Sequence, residues 1–106
     1  MGVNSGLATS SGSNNTFMGA FAGDANTTGS HNTGIGNHAA GASTTATGVT
    51  AVGKNAAFSN LANYTTAVGY RALESNTSGS ANVAVGLESL VSATTAANNT
   101  AVGYQA

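Results

Sequence analysis

The stretch NNTAVGYQA, residues Asn98 to Ala106, recurs throughout this chain and decides how its fold is interpreted. Close copies precede it as YTTAVGYRA from Tyr64 to Ala72 and as GVTAVGKNA from Gly48 to Ala56. Alignment on the glycine of this phrase gives a spacing of 17 residues, with a single spacing of 16 between Gly53 and Gly69. The aligned glycines are Gly2, Gly19, Gly36, Gly53, Gly69, Gly86 and Gly103. A fixed period of this length is typical of repeat architectures.

The repeats predict a single domain, 1–106. Its units are 1–17, 18–34, 35–51, 52–67, 68–84, 85–101 and a partial unit 102–106. The unit 52–67 lacks one residue in its turn region and carries the bulkier Phe58, Leu61 and Tyr64, so we expect a local irregularity there. The partial unit has no charged or atypical cap, and an open solenoid rung exposes unpaired backbone. We therefore expect a segment of a longer fibre, or copies that stack end to end.

Four columns of the alignment have a uniform chemical character. The residue before the glycine is always apolar, and beyond Met1 this column comprises Met18, Ile35, Val52, Val68, Val85 and Val102. The residue two before the glycine is mostly Ala, with Phe17 and Gly34 as departures. The threonine column lies three before the glycine and comprises Thr16, Thr33, Thr50, Thr66 and Thr100, with Val83 as its exception. The asparagine column precedes it, with Asn15, Asn32, Asn82 and Asn99.

The period and composition predict short strands rather than helices. Helical hairpin repeats need about 30 residues or more, and Gly, Thr and Asn are poor in helix interiors. Short strands separated by turns form one rung of a β-solenoid, whose rungs pair in parallel about 4.8 Å apart. We therefore predict an all-β fold, a parallel β-solenoid (β-roll or β-helix) of about six 17-residue rungs.

Each column then has an expected role in the coil. We expect the column of apolar residues before the glycines to fill the interior and form the core of the repeat. The repeat glycines would allow a positive φ or a close backbone approach. Stacked Asn and Thr side chains would form hydrogen-bonded ladders along the rod.

The composition excludes several classes of function. Charged residues make up 5% of the chain, against about 25% in ordinary domains. With a net charge of −1 and only Lys54 and Arg71 as fixed positive charges, there is no electrostatic footprint for nucleic acid or an anionic membrane. No apolar run approaches the ~20 residues that span a bilayer, so we predict no membrane insertion. The absence of Cys excludes disulfides and thiolate chemistry.

No constellation of residues predicts a catalytic, cofactor-binding or metal site. His31 and His38 fall in different columns, whereas a zinc site needs three or four convergent ligands. Asp24, Glu74 and Glu88 form no repeated pair, because Asp24 and Glu74 share a column only at a distance of three repeats and Glu88 lies in another column. General acid–base catalysis is therefore unsupported. Matches to N-x-[ST] are acceptors only in a glycosylating secretory context, and they arise easily by chance in a chain rich in Asn and Thr. They occur at Asn14, Asn26, Asn63, Asn76 and Asn98.

The phrases NTAVGYQA, TTAVGYRA and NVAVGLESL resemble repeats of bacteriophage tail-fibre proteins, and they are similar to the head repeats of YadA-like trimeric autotransporter adhesins. The resemblance covers essentially the whole chain and is clearest from Thr50 to Ala106. The adhesin repeats are somewhat shorter than 17 residues, which favours the tail-fibre family. Both families imply homotrimers of parallel β-solenoid chains that serve as stalks and binding surfaces, and neither implies an active site in the repeats.

The expected function is therefore a non-enzymatic structural fibre or filament segment, extracellular or on a virion surface. Its expected partner is itself, as a homotrimer or an end-to-end polymer, and a cell-surface receptor or glycan is a further candidate. The alternative is a soluble β-solenoid that binds ice or glycans. The threonine column would suit ice, although the residue two after each Thr is apolar rather than a second Thr. Tyr70 and Tyr104 share a column that Leu87 interrupts, which weakens a glycan platform.

Overall fold

The computed structural model describes residues 2–106, and its regular structure consists of six strands of three residues each. They are β1 (Thr16–Met18), β2 (Thr33–Ile35), β3 (Thr50–Val52), β4 (Thr66–Val68), β5 (Val83–Val85) and β6 (Thr100–Val102). All six pair in parallel in one sheet, in chain order from β1 to β6. The prediction of an all-β parallel β-solenoid with a spacing of about 17 residues is confirmed, and about five turns of the coil are formed.

Equivalent residues of successive repeats stack on one another. Thr33 pairs with Thr50, and Ile35 pairs with Val52, between β2 and β3. The register passes unchanged through the shorter repeat, because Thr50 of β3 pairs with Thr66 of β4. Each alignment column is therefore a physical file of side chains running along the rod.

Hydrogen bonds between rungs continue far beyond the three strand residues. The Phe21 N–H donates to the Val3 carbonyl at 2.8 Å, and the Thr27 N–H donates to the Thr44 carbonyl at 2.8 Å. Both pairs lie in the turn regions of the coil. The backbone ladder thus surrounds most of each rung and holds together a rod of 34 × 21 × 17 Å.

Consecutive tight turns carry the chain from one strand to the next. The Ala39 N–H donates to the Gly36 carbonyl (3.1 Å), and the Gly41 N–H donates to the His38 carbonyl (3.1 Å). The third residue of each turn is left-handed, with φ of 58° at His38 and 51° at Ala40, as a type II turn requires. Equivalent residues repeat this conformation in the other rungs, so many non-glycine residues adopt it.

The repeat glycines have both properties predicted from the sequence. Gly36 has φ +127°, and a β-carbon there would lie 2.7 Å from the carbonyl carbon of Gly53 on the next rung. Gly69 has φ +132°, and a β-carbon there would lie 2.5 Å from the carbonyl oxygen of Gly86. A side chain at this column would force the rungs apart, which explains why glycine recurs.

The interior is filled by alanine, and the prediction that the apolar residues before the repeat glycines form the core is wrong. These residues point outward and are called the outer apolar column below. Ala51, Ala67 and Ala84 are fully buried. Their neighbours in the outer apolar column are half-buried or exposed, with exposed fractions of 51% at Met18 and 69% at Val102. The rest of the described column comprises Ile35, Val52, Val68 and Val85. Because successive residues of a strand point to opposite faces, only one column can point inward, and the narrow coil accommodates the smaller side chain.

Phe17 occupies the alanine position of the first rung, and the residues that surround its ring include glycines. A β-carbon at Gly23 would lie 2.3 Å from the Phe17 ring, and one at Gly34 would lie 3.0 Å from it. Further along the rod, Leu73 occupies the column of Gly23 and is fully buried beside alanines. A large side chain in one column is thus compensated by glycine in its neighbours, which accounts for the departures from alanine at Phe17 and Gly34.

The irregularity expected in the unit 52–67 is confined to one exposed corner. The Leu61 N–H donates to the Thr77 carbonyl (3.0 Å), and the Tyr64 N–H donates to the Thr47 carbonyl (2.9 Å), so inter-rung pairing resumes on both sides of the missing residue. Leu61 and Tyr64 are exposed by 50% and 67%. The deletion changes this corner and leaves the sheet unbroken.

Candidate interaction surface and polar columns

The outward side of the sheet, called the outer face below, consists of the threonine column and the outer apolar column of β1 to β6. The two columns lie two positions apart along each strand, with one residue between them, and therefore point to the same side. Burial alternates accordingly, because Thr50 and Val52 are partly exposed on either side of the buried Ala51. None of the residues in these six strands is charged. The outer face is thus an uncharged strip of hydroxyl and apolar groups along the rod.

A column one residue after the repeat glycine, the flanking column, changes character along the rod. It carries Tyr70, Leu87 and Tyr104 in the later rungs, with exposed fractions of 45%, 43% and 72%. The middle rungs have the polar Asn37 and Lys54 instead. The structure therefore leaves large apolar side chains exposed at one part of the rod, and the tyrosines form no continuous aromatic strip.

The asparagine column links the rungs through side-chain amides. The Asn32 N–H donates to Asn15 Oδ1 (2.9 Å), and the Val49 N–H donates to Asn32 Oδ1 (2.8 Å). Asn32 Nδ2 donates in turn to the Ala46 carbonyl (2.7 Å). A direct contact between two amides of the column joins Asn99 Nδ2 to Asn82 Oδ1 at 3.2 Å. The expected ladder is mainly a side-chain-to-backbone ladder, because each amide spans the gap between rungs.

A second polar column lies in the interior and was missed in the sequence. It lies seven residues after the repeat glycine, and its buried members are Asn26, Ser43, Asn60 and Asn76. The same position holds the exposed Thr9 in the first rung and Ala93 in the last. Asn76 Nδ2 donates to Asn60 Oδ1 (2.5 Å) and to the Gly79 carbonyl (2.9 Å). Among the described residues, Oδ1 of Asn26 and Oδ1 of Asn76 are buried without a hydrogen-bond partner. The sequence did contain a signal for this column, because Asn26, Asn60 and Asn76 each lie seven residues after a repeat glycine.

Burial separates the matches to N-x-[ST] into two groups. Asn26 and Asn76 are fully buried and hold the interior, so they are inaccessible in the folded protein. Asn14, Asn63 and Asn98 are exposed. The pattern alone did not distinguish the two groups.

A chain of polar side chains crosses four rungs on one edge of the coil. Arg71 bonds to Glu74 through Nε and to Glu88 Oε1 through Nη1 (3.0 Å). Asn55 Nδ2 donates to Glu74 Oε1 (3.1 Å), and Gln105 Nε2 donates to Glu88 Oε2 (2.9 Å). The hydrogen bond and the charge of Glu74, together with the charge of Glu88, raise the pKa of Arg71 above its ordinary value. The structure thus brings together two carboxylates that lie in different columns, and it uses them as ion-pair partners of one guanidinium.

The two histidines lie in different surroundings. His38 stacks on Phe21 with ring centroids 4.9 Å apart and meets Phe58 edge-on at 5.6 Å. His31 is exposed. Across residues 2–106, no group of three or more His, Cys, Asp or Glu side chains is placed to hold a metal ion. No helix in this described range is long and apolar enough to cross a membrane.

Two concave regions lie at opposite ends of the coil. One, of about 520 Å³, is lined by Gly6, Thr9 and Phe17 among others. The second, of about 330 Å³, is lined by residues that include Leu90 and Ala93. The wall of the second region also includes Ser92 and Glu88, and the Glu88 carboxylate is bonded to Arg71 and Gln105.

No protein-family model matches the chain, and neither the search of curated proteins nor that of solved structures found a match.

Proposed function

We propose that this chain is a non-enzymatic structural segment, a stiff shaft that works in a fibre or filament assembled from copies of itself. Its place would be outside the cell or on a virion surface. The observation that carries this proposal is the outer face, an uncharged and partly apolar strip along a rod whose rungs are bonded almost all the way round. The resemblance of the repeats to tail-fibre shafts supports the same role.

The stiffness of the rod follows from its hydrogen bonding. Inter-rung bonds occur in the strands and also in the turns, as between Phe21 and Val3. Buried amides such as Asn32 add further bonds between rungs. Proteases cut at exposed, poorly bonded loops, and a chain whose turns are bonded to both neighbouring rungs offers few such sites. A mechanical and protease-resistant spacer is the function that this arrangement suits best.

The proposal that the chain is not an enzyme rests on the fact that its acidic and buried polar side chains are already bonded to other groups of the protein. Glu74 and Glu88 are paired with Arg71, and the buried asparagines bond to backbone carbonyls. General acid–base catalysis needs a titratable group within hydrogen-bond reach of a substrate. Glu88 is the titratable side chain at the wall of these concave regions, and its carboxylate is already bonded to Arg71 and Gln105.

The first experiment measures the mass of the assembled species by light scattering after size exclusion, with electron microscopy of the same fraction. We expect a discrete rod-shaped oligomer, with the homotrimer as the leading form. An open-ended filament would support the end-to-end form of the same proposal. A monomer of 10.1 kDa at micromolar concentration would overturn it.

One observation favours the alternative of a soluble binding module. The threonine column and the outer apolar column lie on the same exposed side at a constant rung spacing, which gives the regular array that an ice-binding surface needs. Val83 interrupts the threonine file, and the adjacent apolar residues vary from Met18 to Val102. Thermal hysteresis and glycan-array binding by a monomeric chain would select this alternative over the fibre.

A further inference from the structure

We propose that one buried water molecule bridges two neighbouring rungs inside the coil, where it donates to Asn26 Oδ1 and to the Ala46 carbonyl oxygen. Both residues are shielded from solvent, with exposed fractions of 0% at Asn26 and 1% at Ala46. Each of these oxygens lacks a hydrogen-bond donor that an equivalent oxygen in another rung has. The water would carry the interior polar column across a rung that has no asparagine. The site is internal and does not depend on the proposed fibre function.

The amide of Asn26 is held in one orientation by the bonds of its nitrogen. Nδ2 donates to the Gly29 carbonyl (3.2 Å) and to Thr9 Oγ1 on the preceding rung (3.4 Å). Turning the amide over would bring Oδ1 against the Gly29 carbonyl oxygen, and two acceptors repel each other. Oδ1 therefore stays on the side away from Thr9, where it is buried without a hydrogen-bond partner. Buried polar atoms of native proteins are normally paired with protein groups or with ordered water.

Another rung shows which donor is missing beside Asn26. Asn76 Nδ2 donates to Asn60 Oδ1 on the preceding rung (2.5 Å) and to the Gly79 carbonyl of its own rung (2.9 Å). Ser43 holds the equivalent position on the rung that follows Asn26. Its hydroxyl donates instead to the Asn60 carbonyl on the next rung (2.5 Å). The nitrogen that would reach Asn26 Oδ1 is therefore absent from this rung.

The Ala46 carbonyl lacks a donor for the same reason. The equivalent Gly29 carbonyl accepts two side-chain bonds, from Asn15 Nδ2 (2.8 Å) and from Asn26 Nδ2 (3.2 Å). Among the described residues, the Ala46 carbonyl accepts one such bond, from Asn32 Nδ2 (2.7 Å). A carbonyl oxygen has two lone pairs, so one remains available. A single water molecule, with its two O–H groups, supplies both missing donors.

The two acceptor oxygens converge beside a glycine. A β-carbon at Gly29 would lie 2.5 Å from Asn26 Oδ1 and 2.1 Å from the Ala46 carbonyl oxygen. The two oxygens are therefore close enough for one water to bridge them, and glycine keeps a side chain away from both. Ser43 is also shorter than the asparagine found in other rungs. The site is thus polar and relieved of bulk on two sides, as an internal water requires.

The other unpaired oxygen of the interior column has different surroundings. Asn76 Oδ1 faces the rung of Ala93 and Ala96. Ala93 is partly exposed and Ala96 is exposed, so this rung does not enclose a site. The proposed internal water is therefore assigned to Asn26 alone.

A crystal structure of the wild-type chain tests the site directly. We expect a water oxygen about 2.5–3.0 Å from both Asn26 Oδ1 and the Ala46 carbonyl oxygen. Well-ordered electron density without a water at this point would overturn the inference. A direct bond from another protein group to Asn26 Oδ1 would overturn it as well.

A variant that supplies the missing nitrogen should displace the water. Ser43→Asn with Ala46→Gly reproduces the pairing of Asn76 with Gly79, where a β-carbon would lie 2.8 Å from Asn76 Oδ1. Relaxation dispersion of water oxygen-17 counts long-lived internal waters, and we expect the count to fall by one per chain. Thr45→Asn, at an exposed position, is the matched control and should leave the count unchanged. An unchanged count in the folded double variant would overturn the inference. If that variant does not fold, the crystal structure of the wild-type chain decides.

Discussion

Residues such as Ala81 adopt a backbone conformation that their side chains disfavour. Ala81 has φ +57° and is exposed, and its N–H bonds to the Asn63 carbonyl. The left-handed conformation costs a residue with a β-carbon about 1–2 kcal/mol, and the inter-rung bonds hold the residue there. The strain is therefore local and can be relieved without changing a contact of the interior.

Ala81→Gly is expected to raise the free energy of unfolding by about 0.5–1 kcal/mol, because relief of the left-handed strain exceeds the entropic cost of glycine. Denaturant unfolding of the two proteins measures the change. Ala97→Gly is the matched control, since Ala97 is also exposed but is not left-handed, and it should lose about 0.5–1 kcal/mol. A loss in both variants would contradict the strain argument.

The unpaired Oδ1 of Asn76 gives a second prediction. Asn76 donates to Asn60 on the preceding rung, and the equivalent position on the following rung is Ala93. Ala93→Asn would supply the missing donor and should raise the free energy of unfolding by about 1 kcal/mol. Thermal or denaturant unfolding tests this against Ala97→Asn, an exposed site where no gain is expected. No difference between the two variants would mean that Oδ1 already has a partner such as water.

Single residues also show where sequence reasoning succeeded and where it failed. The glycine column was predicted correctly, because a side chain there would meet the next rung at 2.5–2.8 Å in the central turns. The inward column was assigned wrongly, because hydrophobicity favoured Val52 whereas the narrow coil selects the smaller Ala51. The polar column of Asn60 and Asn76 was missed because buried positions are predicted from hydrophobic residues, and an asparagine side chain gives no such signal.

At the scale of elements, β1 and β2 are coupled through the volume that Phe17 occupies. A β-carbon at Gly34 would lie 3.0 Å from the Phe17 ring and 3.2 Å from the Ala39 carbonyl oxygen. Gly34→Ala is therefore expected to cost about 1–3 kcal/mol by overpacking. After Phe17→Ala the same change should cost less, because the added methyl group fills part of the space that the ring vacates.

A double-mutant cycle with Phe17→Ala and Gly34→Ala measures this coupling by denaturant unfolding. The expected interaction energy is about 0.5–3 kcal/mol, with the double variant more stable than the sum of the single changes predicts. Gly34→Ala with Ala81→Gly is the control pair, since these sites share no partner and their effects should add. Additive effects in the Phe17 pair would show that the two rungs are packed independently.

The behaviour of the whole rod follows from the fact that each rung contacts only its neighbours. The element order and the parallel register were predictable, because the period of 17 residues sets them once strands are assumed. The number of chains remains a prediction, since a column that points outward can be covered by another copy or left in water. In such a rod the stability is close to a sum of rung and interface contributions, so interior and terminal rungs should open differently.

Hydrogen exchange of the backbone amides tests this property of the whole molecule. The amides of Thr50 and Thr66, which bond to Thr65 and Asn82 in the middle of the rod, should exchange more slowly than those of Gly6 and Gln105 near its ends. Fraying propagates from the ends because a terminal rung is held on one side only. Phe17→Ala should accelerate exchange around β1 and leave β5 and β6 unchanged. Equal protection along the chain, or acceleration at both ends of the variant, would instead mean that all rungs open as one cooperative unit.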